Sequence, residues 1–232
     1  MIMHKTTVSP EFRKVAIRRR NRIRLYDNAE LYLFKMALLV IDMQYAFCDP
    51  NSFFFVKYAP SIVPNINRIS SICREFGVKV IWVQHTNRPD GSDWPSLYDH
   101  LLCSENKIKA LAELGEGSDG TRLWHELIVQ PGDIRVSKCR HSALIPGSSN
   151  LERILRSLDI NTLIITGTRT NCCCESTCRD AFSLDFKILF AEDATATNTD
   201  EEHQAALNSI VQFAGDVLTT NEIINICEQI KQ

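Results

Sequence analysis

The chain alternates between short apolar runs and longer stretches in which apolar residues return every three or four positions. The runs are Met36 to Met43, Val78 to Gln84, Asp133 to Lys138, Thr162 to Thr168, Phe186 to Ala191 and Gly215 to Thr219. Runs rich in β-branched residues and free of polar alternation suit strands covered on both faces, as in a parallel sheet. Between them the helical period predicts helices over about 60–76, 148–158, 172–185, 200–213 and 221–230. Strand followed by helix, repeated, predicts an α/β domain: a three-layer, doubly wound, Rossmann-like six-stranded parallel sheet. No repeat or shift in composition marks a second domain, so 36–232 reads as one unit preceded by an extension over 1–35. The stretch 85–132 carries Trp94, Tyr98 and Trp124 among many Gly, Asp, Pro and Ser residues. It reads as the main irregular insertion, with one short helix near about 106–114, and long loops in compact domains are usually functional.

A chain of 232 residues, 44% of them hydrophobic, buries enough surface to stand without disulfides or structural metal. Its 26 Lys and Arg against 28 Asp and Glu leave a formal charge of −2, which recommends neither nucleic acid nor an anionic membrane as a partner. The extension departs from that balance, with nine Lys and Arg against three acids in residues 1–35. It reads as a solvated tail, docked on a partner subunit, in preference to an organelle presequence or a nucleic-acid arm, since no aromatic or Gly-rich nucleic-acid signature accompanies it. No window is long and apolar enough to span a bilayer and no secretory core precedes a cleavage site, so the expected compartment is the cytoplasm. Nine cysteines, an odd number, argue for reduced thiols over a disulfide framework.

Ligands of such sheets bind beyond the carboxyl ends of the strands. The residues found there are Asp42 and Gln44, His85 and Thr86, Lys138 and His141, Thr168 through Cys173, and Glu192 with Asp193. Cys173 lies where a strand passes through Gly167 into a helix. A thiol at a helix N-terminus feels unpaired N–H groups and the positive end of the dipole, both of which favour thiolate. Asn171 is the candidate cap. Cys174, Cys178 and Ala181 or Phe182 share one helical face and read as packing residues, while Cys172 fits either role. Asp42 and Lys138, each unremarkable alone, gain meaning together: a thiol needs a base, and a cation lowers the thiol pKa and keeps a pocket carboxylate charged.

The segments VIDMQ at 40–44, QPGDIRVSKCRHSALIPGSSNL at 130–151 and TGTRTNCCCESTCRDAFSLDFKILFAEDATA at 166–196 resemble the isochorismatase-like cysteine hydrolases. The resemblance implies that Asp42, Lys138 and Cys173 are the catalytic triad. Cys173 is preferred to its neighbours because the family pattern T-N-x-C-x-E-S puts the nucleophile fourth. It also implies a cis peptide between Thr168 and Arg169, and an oxyanion hole made by the N–H groups of Arg169 and Cys173. Cys139, Cys172 and Cys178 stand where that family usually has Pro, an aliphatic residue and Ala, and Arg169 is a potential site cation.

Related nicotinamidases hold a metal through an Asp and paired His residues after the second strand. Here only His85 is present, and three adjacent thiols are not expected to aim at one ion, so neither metal nor cofactor is expected. The implied reaction is covalent hydrolysis of a carbon–nitrogen bond in a small amide or ureido compound. Overall pattern points to the ureidoacrylate or N-carbamoyl amidohydrolase branch, with Gln84, His85, Trp94 and His141 as candidate substrate contacts. The family is mostly dimeric or tetrameric, so a homodimer or homotetramer is expected. The rival reading is a catalytically silent binding or thiol redox-sensing protein on the same fold.

Overall fold

The computed structural model describes residues 3–230. Six strands, β1 (Met36–Ile41), β2 (Lys79–His85), β3 (Ile134–Lys138), β4 (Thr162–Thr168), β5 (Lys187–Ala196) and β6 (Asp216–Leu218), form one sheet in the order β3-β2-β1-β4-β5-β6. Every pairing is parallel. The chain winds outward from β1 to β3, returns to the centre at β4 and winds outward the other way, so the strand order reverses between β1 and β4. That switch point opens a crevice above the carboxyl ends of the two strands.

All six residues of β1 are buried, and alternate side chains enter opposite layers as strand geometry requires. Leu38 and Val40 pack with Ile62, Ile66 and Ile69 of α3 (Ala59–Glu75) and Ile223 and Ile226 of α8 (Thr220–Gln229). Ala37, Leu39 and Ile41 pack with residues of α5 (Leu151–Ser157), α6 (Glu175–Ser183) and α7 (Asp200–Phe213). Thr199 Oγ1 caps α7 by accepting from the Glu202 N–H, and Thr219 with Glu222 forms a capping box on α8. The insertion holds a π-helical turn at Ser96–Leu101 and α4 (Ser104–Leu114), while α2 (Tyr45–Cys48) follows β1.

The extension is not a solvated tail. Residues Pro10–Arg20 form α1, which packs on α7 of the same chain. Val8 and Ala16 enter one core layer, and Leu31 and Leu33 enter the other. Arg20 Nη1 sits 2.9 Å from Asp216, whose side chain is 3% exposed and also accepts from the Leu25 and Tyr26 amides. Arg20 and Arg24 of the extension therefore answer the buried Asp216 of the body. Counting charge along the sequence misses this because the partner lies nearly 200 positions away.

A second correction concerns β5, which runs past the expected Ala191 to Ala196 with a register shift against β4 between Ile165 and Gly167. Asp193 is thereby turned to accept from the Thr220 amide at 2.6 Å, and Glu192 to accept from the Thr7 hydroxyl. Neither lines the crevice at the switch point. Among the described residues, no helix is long and apolar enough to cross a membrane.

Candidate active site

Three chain segments converge above the switch point. Asp42 ends β1 with φ 53°, in the left-handed region where Asp is one of the few side chains tolerated. Its N–H donates to the Val83 carbonyl at 2.8 Å, which locks this turn onto β2. Gln44 completes the join, accepting from the His85 N–H at 2.7 Å and donating to the His85 carbonyl at 3.0 Å. Lys138 is the last residue of β3, two strands away. On the other side, β4 passes through Gly167 (φ 107°) into the cis Thr168–Arg169 peptide and then a π-helical turn, Thr170–Cys174, that continues as α6. A Cβ at position 167 would run into the Ile41 backbone, so only Gly lets β1 and β4 close up here.

Lys138 is 1% exposed and Asp42 fully buried, with Nζ 2.8 Å from Asp42 Oδ2. The same ammonium lies 3.1 Å from His85 Nδ1 and donates to the Arg140 carbonyl at 2.9 Å. Because a charged ammonium has no lone pair to offer, His85 Nδ1 is the acceptor and the ring proton sits on Nε2. Nε2 accordingly donates to Asn87 Oδ1 at 2.8 Å, an oxygen that also accepts from Tyr98 Oη at 2.9 Å. Burial and the Lys138 charge both hold the His85 pKa below its ordinary value, so the ring is neutral.

Cys173 is 5% exposed and its sulfur reaches the same cluster: ligand atoms of Asp42, His85 and Cys173 all lie within 4.8 Å of one another. The Cys172 thiol, hydrogen-bonded to it, draws the Cys173 pKa well below the ordinary thiol value; burial opposes this, and Lys138 and His141 assist. Cys172, the donor, is correspondingly pushed up. Burial, together with the neighbouring sulfur charge, raises the Asp42 pKa against the pull of Lys138. Burial opposes the charge on Lys138, yet Asp42 and Cys173 overcome it and raise that pKa. The cluster thus holds one ammonium and favours a single negative charge shared between carboxyl and sulfur. A proton leaving Cys173 can rest on Asp42.

Beside the sulfur lies a cavity of about 110 Å³ lined by Phe47, Phe54, His85, Trp94, Leu97, Leu114, His141, Arg169, Cys172 and Cys173. Three of the four expected substrate contacts, His85, Trp94 and His141, are on its wall. Gln84 is not: successive strand residues face opposite sides, and its side chain donates to the Thr121 carbonyl at 2.8 Å. Arg169 enters the cavity wall, with one guanidinium nitrogen donating to the Phe54 carbonyl at 3.1 Å.

Asn171 does not cap the helix; its Oδ1 accepts from Thr197 Oγ1 at 2.7 Å. Cys174 and Cys178 are wholly buried in the core beside Ala181, whereas Phe182 on the adjacent helical position is 41% exposed. Phe47, Phe54, Leu97 and Leu114 carry no sequence signal for a pocket, since an apolar residue looks the same whether it lines a cavity or fills a core.

A divalent ion among Asp42, His85 and Cys173 does not fit the residues present. The Lys138 ammonium already occupies the space between the carboxylate and Nδ1, and the other ring nitrogen is engaged by Asn87.

The isochorismatase domain family model matches residues 36–222. The chain is 33% identical over 201 residues to the ureidoacrylate amidohydrolase RutB of Caulobacter vibrioides, covering 79% of this chain and 87% of that protein. It is 34% identical over 171 residues to an Arabidopsis thaliana protein described as a "probable inactive nicotinamidase", covering 73% of this chain and 84% of the relative. Among solved structures, a cysteine hydrolase from Pseudomonas syringae superposes with a TM-score of 0.79 at 28% identity, covering 87% of this chain and 96% of that one. With its strand order, its strand-end cluster and these matches taken together, the chain belongs to the isochorismatase family.

Proposed function

We propose that this protein is a cysteine amidohydrolase that cleaves the carbon–nitrogen bond of a small amide or ureido compound through Cys173. The observation that carries the reading is the buried Asp42–Lys138–Cys173 cluster, whose sulfur meets a mainly apolar cavity. Asp42 takes the Cys173 proton and the sulfur attacks the substrate carbonyl carbon. The N–H groups of Arg169 and Cys173 receive the negative charge on the tetrahedral oxygen, each such donor contributing roughly 3–4 kcal/mol in other acyl-transfer enzymes. As the oxygen re-forms its double bond, the C–N bond breaks and the amine leaves with the proton held by Asp42. Water then adds to the thioester or thiocarbamate, giving one proton back to Asp42, and the sulfur departs. Lys138 keeps its charge throughout and fixes the positions of Asp42 and His85.

Apolar walls of Phe47, Phe54, Leu97 and Leu114 favour a flat, unsaturated substrate, and Arg169 supplies a cation for a carboxylate carried by it. A ureidoacrylate-type substrate meets both demands, which accords with the likeness to the Caulobacter vibrioides enzyme. The test is ammonia release from a panel of N-carbamoyl compounds and primary amides, with intact mass spectrometry after brief mixing. Turnover, an adduct mapping to Cys173 and loss of both in Cys173→Ser support the reading; near wild-type turnover in that variant overturns it. The relative described as inactive favours one alternative, a binding or redox-sensing protein, which would show oxidation-dependent partner affinity and release no ammonia.

A further inference from the structure

Cys172 forms no bond to substrate in the reaction above, yet it lines the cavity beside Cys173. Its Sγ lies 3.1 Å from His141 Nδ1, and Cys173 Sγ lies 3.9 Å from the same nitrogen. All three atoms fall within 4.8 Å of one another. A tetrahedral ion with bonds of about 2.3 Å to sulfur and 2.0–2.1 Å to imidazole nitrogen has ligand–ligand edges of roughly 3.5–3.8 Å. The three atoms therefore outline one face of a tetrahedron to within a few tenths of an ångström on the two edges to His141. They also combine the soft ligands that select zinc-like ions.

The rest of the surroundings fit. His141 is exposed, Cys172 half-buried and Cys173 buried, so the ligands descend from solvent to the cavity floor and an ion can reach them. The His141 ring packs edge-on against Trp94, with centroids 4.7 Å apart, and this contact holds its orientation. All three residues also line the cavity, from which water or substrate can complete the coordination. Two bound thiolates carry the charge needed to neutralise a divalent ion. The neighbouring Asp42–His85–Cys173 group is closed to a second cation by Lys138, whereas no ammonium or guanidinium stands between His141 and Cys172 among the described contacts. Cys174, the third thiol of the run, is buried in the core and its sulfur faces the Thr166 carbonyl, so two of the three adjacent thiols converge and the third does not.

We propose that His141, Cys172 and Cys173 form a binding site for a thiophilic divalent cation of the zinc class. Occupancy ties up the Cys173 sulfur, so on the hydrolase reading given above the bound ion is a reversible inhibitor that a chelator removes. The binding claim itself does not depend on that reading.

The experiment uses the full chain, reduced with a phosphine that does not compete for metal, and titrates it with cobalt(II) and then zinc(II). Wild type is expected to take up one equivalent of cobalt, with thiolate-to-cobalt charge-transfer absorption and the visible bands of a tetrahedral site, and zinc should displace it. Cys172→Ser and His141→Ala should each weaken binding at least tenfold and diminish these bands. Cys139→Ser and Cys103→Ser, which alter the other accessible thiols, should leave the spectrum unchanged. Absence of cobalt or zinc uptake by wild type at micromolar concentrations overturns the site, as does uptake that survives both ligand substitutions. Hydrolysis without metal uptake would sink this inference alone, and uptake without hydrolysis would sink the proposed activity alone.

Discussion

Replacing Lys138 with Met removes the only ammonium from the buried cluster while keeping a side chain of similar length. Three acceptors lose their donor at once: Asp42 Oδ2 at 2.8 Å, His85 Nδ1 at 3.1 Å and the Arg140 carbonyl at 2.9 Å. Removing one partner of a buried ion pair costs about 3–5 kcal/mol because the other charge stays desolvated. With a urea m-value of about 2–3 kcal/mol per molar, that loss moves the unfolding midpoint down by roughly 1–2.5 M. The protein limits the damage by keeping a proton on Asp42 and one on Cys173, so the reactivity of the sulfur must change as well. The assay is the pH dependence of Cys173 alkylation by iodoacetamide, mapped by fragment mass spectrometry, together with urea unfolding. In the wild type, half-maximal alkylation should fall well below the ordinary thiol value of about 8.5. In Lys138→Met it should return to that value or higher. An unchanged alkylation profile with an unchanged midpoint would refute the claim that this ammonium sets the charge state of the site.

Three further outcomes test the structure elsewhere. Gly167→Ala should lose more than about 4 kcal/mol or fail to accumulate folded, since its Cβ meets the Ile41 backbone at positive φ; a soluble variant with wild-type Tm would contradict the close approach of β1 and β4. Asp133 is buried, which raises its pKa, but Arg74, the Gln130 amide and the Trp82 indole together outweigh burial and hold it below the ordinary carboxylate value. Its stabilising contribution is therefore complete above the unfolded value near about 3.9 and lost as pH falls through the folded value. Asp133→Asn should accordingly lower stability at pH 7 by about 1.5–3 kcal/mol and flatten the acid limb of a stability–pH curve. His4 stacks on His203 with centroids 4.1 Å apart, and His203 Nδ1 lies 2.9 Å from Thr170 Oγ1, three residues before Cys173. Deleting residues 1–9 should thus lower Tm and reduce kcat several-fold with little change in KM, read by steady-state kinetics; an unaltered kcat would mean the strap is not coupled to the nucleophile turn.

Much of the architecture could be read before any coordinates. The runs around Leu38, Ile81, Ile164 and Leu189 announce strands buried on both faces, because apolar side chains occupy both parities of each. Strand ends in such a sheet are where chemistry collects, and Asp42, Lys138 and Cys173 were visible there as an acid, a base and a thiol. The helical spacing of Cys174 and Cys178 separated packing thiols from the rest. Legibility failed where the deciding contact is distant in sequence. Gln84 and His85 are adjacent residues of one strand, and strand parity sends one toward Thr121 and the other into the cavity. The extension looked like a solvated arm because its charge count is local, while Asp216, which neutralises Arg20, comes from the last strand.

Local pattern sufficed for the strands, the helices and the kinds of functional group at their ends, since period, capping and turn chemistry act over a few residues. Folding in three dimensions was needed to bring Lys138 to within 2.8 Å of Asp42. It was needed also to line the cavity with Phe47 and Leu114, and to turn Cys172 and Cys173 together toward His141 while Cys174 faces the core. Charge states depend on the same convergence. Whether a carboxyl keeps its proton or a sulfur loses it follows from burial and from neighbours a hundred residues off, and neither exists until the sheet is wound.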